Sequence, residues 1–158
     1  MTKYKKILLV LTLLIFSNCG FQLTNLNTNF KIAEIKTSGD KKINYKIKNK
    51  VAFSSNKKNA ELLKIKINTD KTKKIKEKNI NNQITKYEIS IITNVEFERI
   101  TTNEKYNFKV NKTGDYTVSE KYSDTLNNEK KLVNTLVDNL TEEIIENIVT
   151  NLNDLQKL

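Results

Sequence analysis

The run Ile84 to Arg99 constrains the fold more than any other stretch of this chain. Tyr87, Ile89, Ile91, Val95 and Phe97 alternate with Lys86, Glu88, Ser90, Asn94, Glu96 and Glu98. A period of two puts the first set on one face of a strand and the second on the other. Thr101-Thr102-Asn103 reads as a short turn after it, and Tyr106, Phe108 and Val110 start a returning strand. Lys112-Thr113-Gly114 interrupts that strand, with a bulge or bend expected at Gly114, before Tyr116 and Val118 resume the same parity. Two aromatic-rich strands with matching parity and a short connection predict an antiparallel hairpin.

Upstream, Phe30 to Thr37 reads as a strand carrying Ile32, Ala33 and Ile35, closed by a turn at Ser38-Gly39-Asp40. From Lys41 to Phe53 the period changes: Ile43, Ile47 and Val51 recur every four residues, a narrow apolar stripe on a helix. Ser54 to Asn59 breaks it. In Glu61 to Asn68, Leu63, Ile65 and Ile67 face one way and Leu62, Lys64 and Lys66 the other, the pattern of a half-buried strand. Asp70 to Asn82 is the most polar stretch and reads as a mobile loop.

The last third is helical. Asp124 is the expected N-cap, and Val133, Leu136, Val137, Leu140, Ile144, Ile148 and Leu152 form a wide stripe, broadened by Leu132, Ile145 and Val149. Glu142, Glu143 and Glu146 take its other side. A stripe this broad suits a helix lying flat on a sheet. The order βαβββα lets the first helix act as a right-handed crossover between parallel strands. The economical fold is α+β, a two-layer sandwich with two helices packed on one face of a four-stranded mixed sheet. Its other face shows Lys, Glu, Ser and Asn.

The N-terminus is organised differently. Lys3, Lys5 and Lys6 precede an apolar run from Ile7 to Phe16, broken only by Thr12. This is the layout of a secretory signal peptide, and the run is short of the roughly 20 residues that span a bilayer. The sole cysteine follows directly, in Phe16-Ser17-Asn18-Cys19-Gly20-Phe21. A lone cysteine there reads as an acylation site, which removes an unpaired thiol from an oxidising compartment. Two acyl chains hold a protein on a membrane stably. The expected organisation is a leader over 1–18, a lipidated tether over 19–29, and a single domain over 30–158. An ordinary leader with an unpaired cysteine near its cut site is the plainer alternative.

Composition narrows the chemistry. The net charge is +10, and removing the leader with its three lysines leaves +7. This favours anionic partners, although the Lys, Asn and Ile bias of an AT-rich genome produces part of it. Export points to an envelope component rather than to nucleic acid. Histidine is absent and the cysteine is committed to lipid, which removes the usual general base, zinc ligands and thiol nucleophile, so no metal or cofactor is expected. Paired carboxylates could serve a hydrolase, and Glu96 and Glu98 share a strand face, as do Glu88 and Glu96 at longer range, but they read as solvated sheet residues, so no catalytic residue is assigned. Three glycines cannot build a phosphate-cradling loop. Lys71, Lys73, Lys74, Lys76 and Lys78 form a charge run that either holds phosphorylated headgroups or is a solvated loop.

The opening Cys19-Gly20-Phe21-Gln22-Leu23, the order of strands and helices at this length, and a Tyr116 and Tyr122 segment leading into a long terminal helix resemble the lipopolysaccharide-assembly lipoprotein family LptE. The resemblance implies a non-enzymatic protein of the outer membrane. It would be lipid-anchored at Cys19 and face the periplasm. Members of that family sit inside the LptD β-barrel, help it assemble, and bind lipopolysaccharide on its way to the surface. Gly20 after the cysteine is compatible with outer-membrane sorting. The competing reading is a free-standing envelope lipoprotein that tethers or pilots another outer-membrane machine without binding lipopolysaccharide.

Overall fold

The alternating run forms a strand with partners on both sides. The computed structural model of the chain describes residues 30–55 and 60–154. The expected leader, Cys19 and the tether lie outside the described residues. The elements are β1 (Phe30–Gly39), α1 (Lys41–Ser54), β2 (Glu61–Lys78), β3 (Ile84–Arg99), β4 (Lys105–Thr117) and α2 (Tyr122–Asp154). The strands lie in the order β1-β2-β3-β4. β1 and β2 are parallel, joined through α1, while β2–β3 and β3–β4 are antiparallel. The fold is the α+β sandwich with a mixed four-stranded sheet that the periodicities imply.

The two periods converge on one core. Leu63, Ile65 and Ile67 of β2 and Ile89, Ile91, Val95 and Phe97 of β3 are buried together with Ile43, Ile47 and Val51 of α1. α2 adds Leu136, Val137, Leu140, Ile144 and Ile148. Both helices therefore cover the same sheet face. Lys46 and Lys50 of α1 reach Asn134 and Asp138 of α2, so the helices run side by side in one direction. Inside the core, Thr69 and Thr93 face each other across β2 and β3 and share a 3.0 Å hydroxyl hydrogen bond. Two fully buried polar groups thereby satisfy one another.

The junction of β1 and α1 has a backbone cause. Gly39 sits at φ +88°, and a Cβ there would stand 2.1 Å from the Thr69 carbonyl oxygen. Only glycine allows the chain to turn off the sheet at that point. Asp40 donates its backbone N–H to the same oxygen at 2.8 Å. Its carboxylate accepts from the backbone N–H groups of Lys42 and Ile43, each at 3.0 Å, capping α1. Such a cap is worth about 1 kcal/mol.

At the start of β2, the single arginine fastens the sheet. Arg99 bonds Glu61 at 3.2 Å and Glu104 at 3.1 Å, and Thr101 donates to Glu61. The Thr101 hydroxyl, then Arg99, hold the Glu61 carboxyl below the usual range.

Three expectations need correction. The stretch from Asp70 is not a mobile loop: β2 continues through Lys78, paired with β3 as far as Ile84. Lys71, Lys73, Lys74, Lys76 and Lys78 are strand residues, and the turn is confined to the few residues beyond. β3 supplies a rigid template whose backbone bonds outweigh the low strand propensity of lysine. Gly114 makes no bulge, because β4 keeps regular register with β3 there. A Cβ on Gly114 would lie 2.8 Å from Leu132 Cδ1, so the missing side chain admits α2 onto β4. Finally, α2 begins at Tyr122, with Asp124 inside its first turn rather than capping it. The Lys121 carbonyl already accepts from the N–H groups of Asp124 and Thr125.

Candidate functional site

α1 begins beside Thr69, but β2 and β3 run on past it and α2 starts further along. This leaves a shelf on the helix side of the sheet, beyond the first turn of α1. Lys71 and Lys73 continue the parity of Leu63, Ile65, Ile67 and Thr69, facing Ile91 and Ile89 in register. Lys74 lies on the other face opposite Glu88. Lys76 bonds Asp115 at 2.8 Å and Lys78 bonds Asn82 at 2.9 Å. The charge run is thus divided between two faces, and the sheet does not gather its five lysines into one site.

Lys73 is held most firmly. Its ammonium lies 2.7 Å from Glu129 Oε2, 4.3 Å from the centre of the Tyr87 ring and 5.2 Å from that of Tyr116. The Tyr116 hydroxyl donates to the same Glu129 oxygen at 2.7 Å, and the two rings stack at 5.7 Å. A cation over aromatic faces is attracted by their quadrupoles. Burial disfavours the charge on Lys73, but the bonds to Glu129 and Tyr116 outweigh it and raise the ammonium to about 12. Burial likewise works against ionised Glu129, and the Lys73 and Tyr116 bonds overcome it, holding the carboxyl below its ordinary value. Burial pushes the Tyr116 phenol up.

Beside this cluster a groove of about 250 Å³ opens between the helices. Ile43, Leu126 and Val133 line it with apolar surface, and Lys42, Lys46, Lys71 and Lys130 surround it. Its two carboxylates are already engaged, Asp40 with the cap of α1 and Glu129 with Lys73 and Tyr116. Lys46 donates to the amide oxygen of Asn134. Among the described residues, none of these four lysines makes a salt bridge, although Lys71 lies near enough to Glu129 to help lower its carboxyl. An apolar wall under four ammonium groups suits a ligand with an anionic head and an aliphatic body.

The opposite face of the sheet is polar. A shallow trough of about 550 Å³ crosses the four strands there, lined by Lys36, Lys66, Asn68, Asn94, Asn107 and Lys109 among others. Glu96 bonds Lys66 at 3.0 Å, while Glu88 and Glu98 oppose Lys74 and Lys64 in register. The three glutamates are thus interleaved with lysines.

Sequence reasoning singled out Lys71 and Lys73 but missed Lys42, Lys46, Lys130, Glu129 and the tyrosine pair. The signal that was legible is parity. Lys71 and Lys73 stand two and four residues after Thr69, on the face already assigned to the core.

The rare lipoprotein B of Shewanella oneidensis has a solved structure that superposes with a TM-score of 0.57 at 10% identity, over 78% of this chain and 98% of that one. The uncharacterized lipoprotein B of Nitrosomonas europaea gives 0.53 at 9% identity, over 87% and 93%. This is a fold that lipoproteins carry. At such identities the likeness is one of fold alone. No protein-family model matches the sequence. Nor does any curated protein.

Proposed function

We propose that this chain is a non-enzymatic lipoprotein of the outer membrane, anchored by acyl chains on Cys19 and facing the periplasm. Its role is to plug and help assemble an LptD-like β-barrel and to receive lipopolysaccharide in transit to the cell surface. The observation that carries the ligand half of this reading is the α1–α2 groove, with four lysines that make no salt bridge among the described residues above Ile43, Leu126 and Val133. Phosphate groups of the glycolipid would meet the ammonium groups while acyl carbon lies on the apolar wall. Each lysine near an anionic surface contributes about 1 kcal/mol. Support for the lipoprotein half comes from the Cys19-Gly20-Phe21-Gln22-Leu23 opening and from the fold shared with lipoproteins of other bacteria.

Three measurements test it. Mass spectrometry of the protein from its own cells should find a diacylated Cys19 as the first residue; an unmodified thiol or an uncut leader refutes the anchoring. Pull-down in mild detergent should bring a large β-barrel with it. Depletion should lower surface lipopolysaccharide, whereas a pilot or tether for another machine would leave it unchanged.

A further inference from the structure

β1 accompanies β2 only as far as the Gly39–Thr69 pair, where Gly39 turns the chain into α1. β2 then runs nine residues further, bonded to β3 alone. Along Asp70–Lys78 the peptide groups facing away from β3 accept no strand. Among the described residues no side chain or loop bonds to them either. All nine residues are exposed. Register irregularities fall between Ile75 and Lys78, so the regular portion of this open edge is Asp70–Ile75.

The edge carries a chemical preference. Lys71 and Lys74 stand on opposite faces of it, Lys71 near enough to Glu129 to help lower its carboxyl and Lys74 opposite Glu88 in register, and neither makes a salt bridge among the described residues. Lysines on an open edge oppose pairing with a second copy, because like charges would stand opposite one another. The same lysines favour an incoming strand with one acid on each face, three residues apart. One set of its side chains would point to Lys71 and the α1–α2 groove, and the other to Lys74 on the open face. Main-chain bonds supply affinity in such an addition, and side-chain alternation supplies selectivity.

We propose that Asp70–Ile75 is a docking edge for an extended acidic segment of another protein, which continues the sheet where β1 leaves it. This goes beyond the lipid-binding reading and does not depend on it. The test uses the full mature chain and the six-residue peptide Val-Glu-Val-Val-Glu-Val, whose two acids fall on opposite faces, at millimolar concentration. The peptide should slow hydrogen exchange at alternate amides within 70–75 by about tenfold. A peptide with Lys in place of Glu should not. Two further peptides, N-methylated at every second nitrogen in opposite phases, separate main-chain pairing from charge attraction: one phase should lose binding and the other keep it. The double variant K71Q/K74Q breaks no salt bridge among the described residues and places no like charges opposite one another. It should fold normally and bind the acidic peptide about tenfold more weakly. Equal binding of both methylated peptides would overturn the proposal, as would protection elsewhere in the chain or no binding. Protection of 70–75 without peptide that grows with protein concentration would overturn it in favour of self-pairing.

Discussion

The two halves of β2 share one strand, one register partner and one alternation, yet they live in different surroundings. In the first half Leu63, Ile65, Ile67 and Thr69 are buried beneath α1, with β1 and β3 on either side. In the second half the same face carries Lys71, Lys73 and Ile75, α1 is absent, and one edge is open. The first half is built by burial. The second is held by backbone bonds to β3 and by pairs such as Lys73–Glu129 and Lys76–Asp115. A strand's stability therefore belongs to its neighbours as much as to its own residues.

Substitutions in the two halves should differ most where burial differs most. Ile65→Ala and Ile67→Ala should each cost about 2–5 kcal/mol in denaturant unfolding, as cavities in a packed core do. Ile75, 51% exposed on the same strand, should cost less than about 1 kcal/mol when replaced by Ala. Equal losses would mean that the second half is packed by something beyond these elements.

At the boundary between the halves, Gly39→Ala should cost at least about 2 kcal/mol, because the turn needs a positive φ and a Cβ would strike the Thr69 carbonyl. Retained stability would show that β1 can leave the sheet by another path.

Next in size comes the cluster that secures the second half. Glu129→Gln should destabilise by about 1 kcal/mol after allowance for solvent screening, and NMR titration should find Lys73 falling from about 12 toward its ordinary value. Its pH dependence has two limbs. The Glu129 carboxyl is depressed from 4.5, so its contribution is present above that pH and is lost as pH falls through the lower folded value. Lys73 is raised from 10.5, so its contribution is complete below that pH and fades as pH rises through about 12. Both limbs should flatten in the Gln variant.

The smallest effect on stability is expected in the groove. Lys42→Gln, Lys71→Gln and Lys130→Gln should each change unfolding free energy by less than about 0.5 kcal/mol. Each should nevertheless weaken binding of purified lipopolysaccharide by roughly fivefold, on the basis of about 1 kcal/mol per charge. Unchanged binding in the triple variant would remove the groove from the proposed function.

The same contrast explains what could be read from the residues alone. The core stripes of Ile43–Ile47–Val51 and Leu136–Ile148, the β3–β4 hairpin and the first half of β2 announce themselves, because burial demands apolar side chains at fixed spacing. The second half of β2 carries charge at those spacings, and its order comes from Tyr87, Tyr116 and Glu129, which are distant in sequence. Gly114 misled for a related reason: a strand glycine signals either a kink or close approach, and only the position of Leu132 decides between them. The groove was hidden because Lys42, Lys46, Lys71 and Lys130 come from three elements. Their convergence depends on α1 starting later along the sheet than α2.

The parallel pairing of β1 with β2 has a mechanical consequence. Any pull that reaches the fold through residue 30 enters at the end of a strand paired with β2 at nine positions from Phe30 to Gly39. Tension directed along that strand, resisted at the far turn between β2 and β3, would slide β1 lengthwise over its neighbour. Many rungs would then have to fail at once, instead of peeling one after another. A domain leashed at this corner would yield late and abruptly.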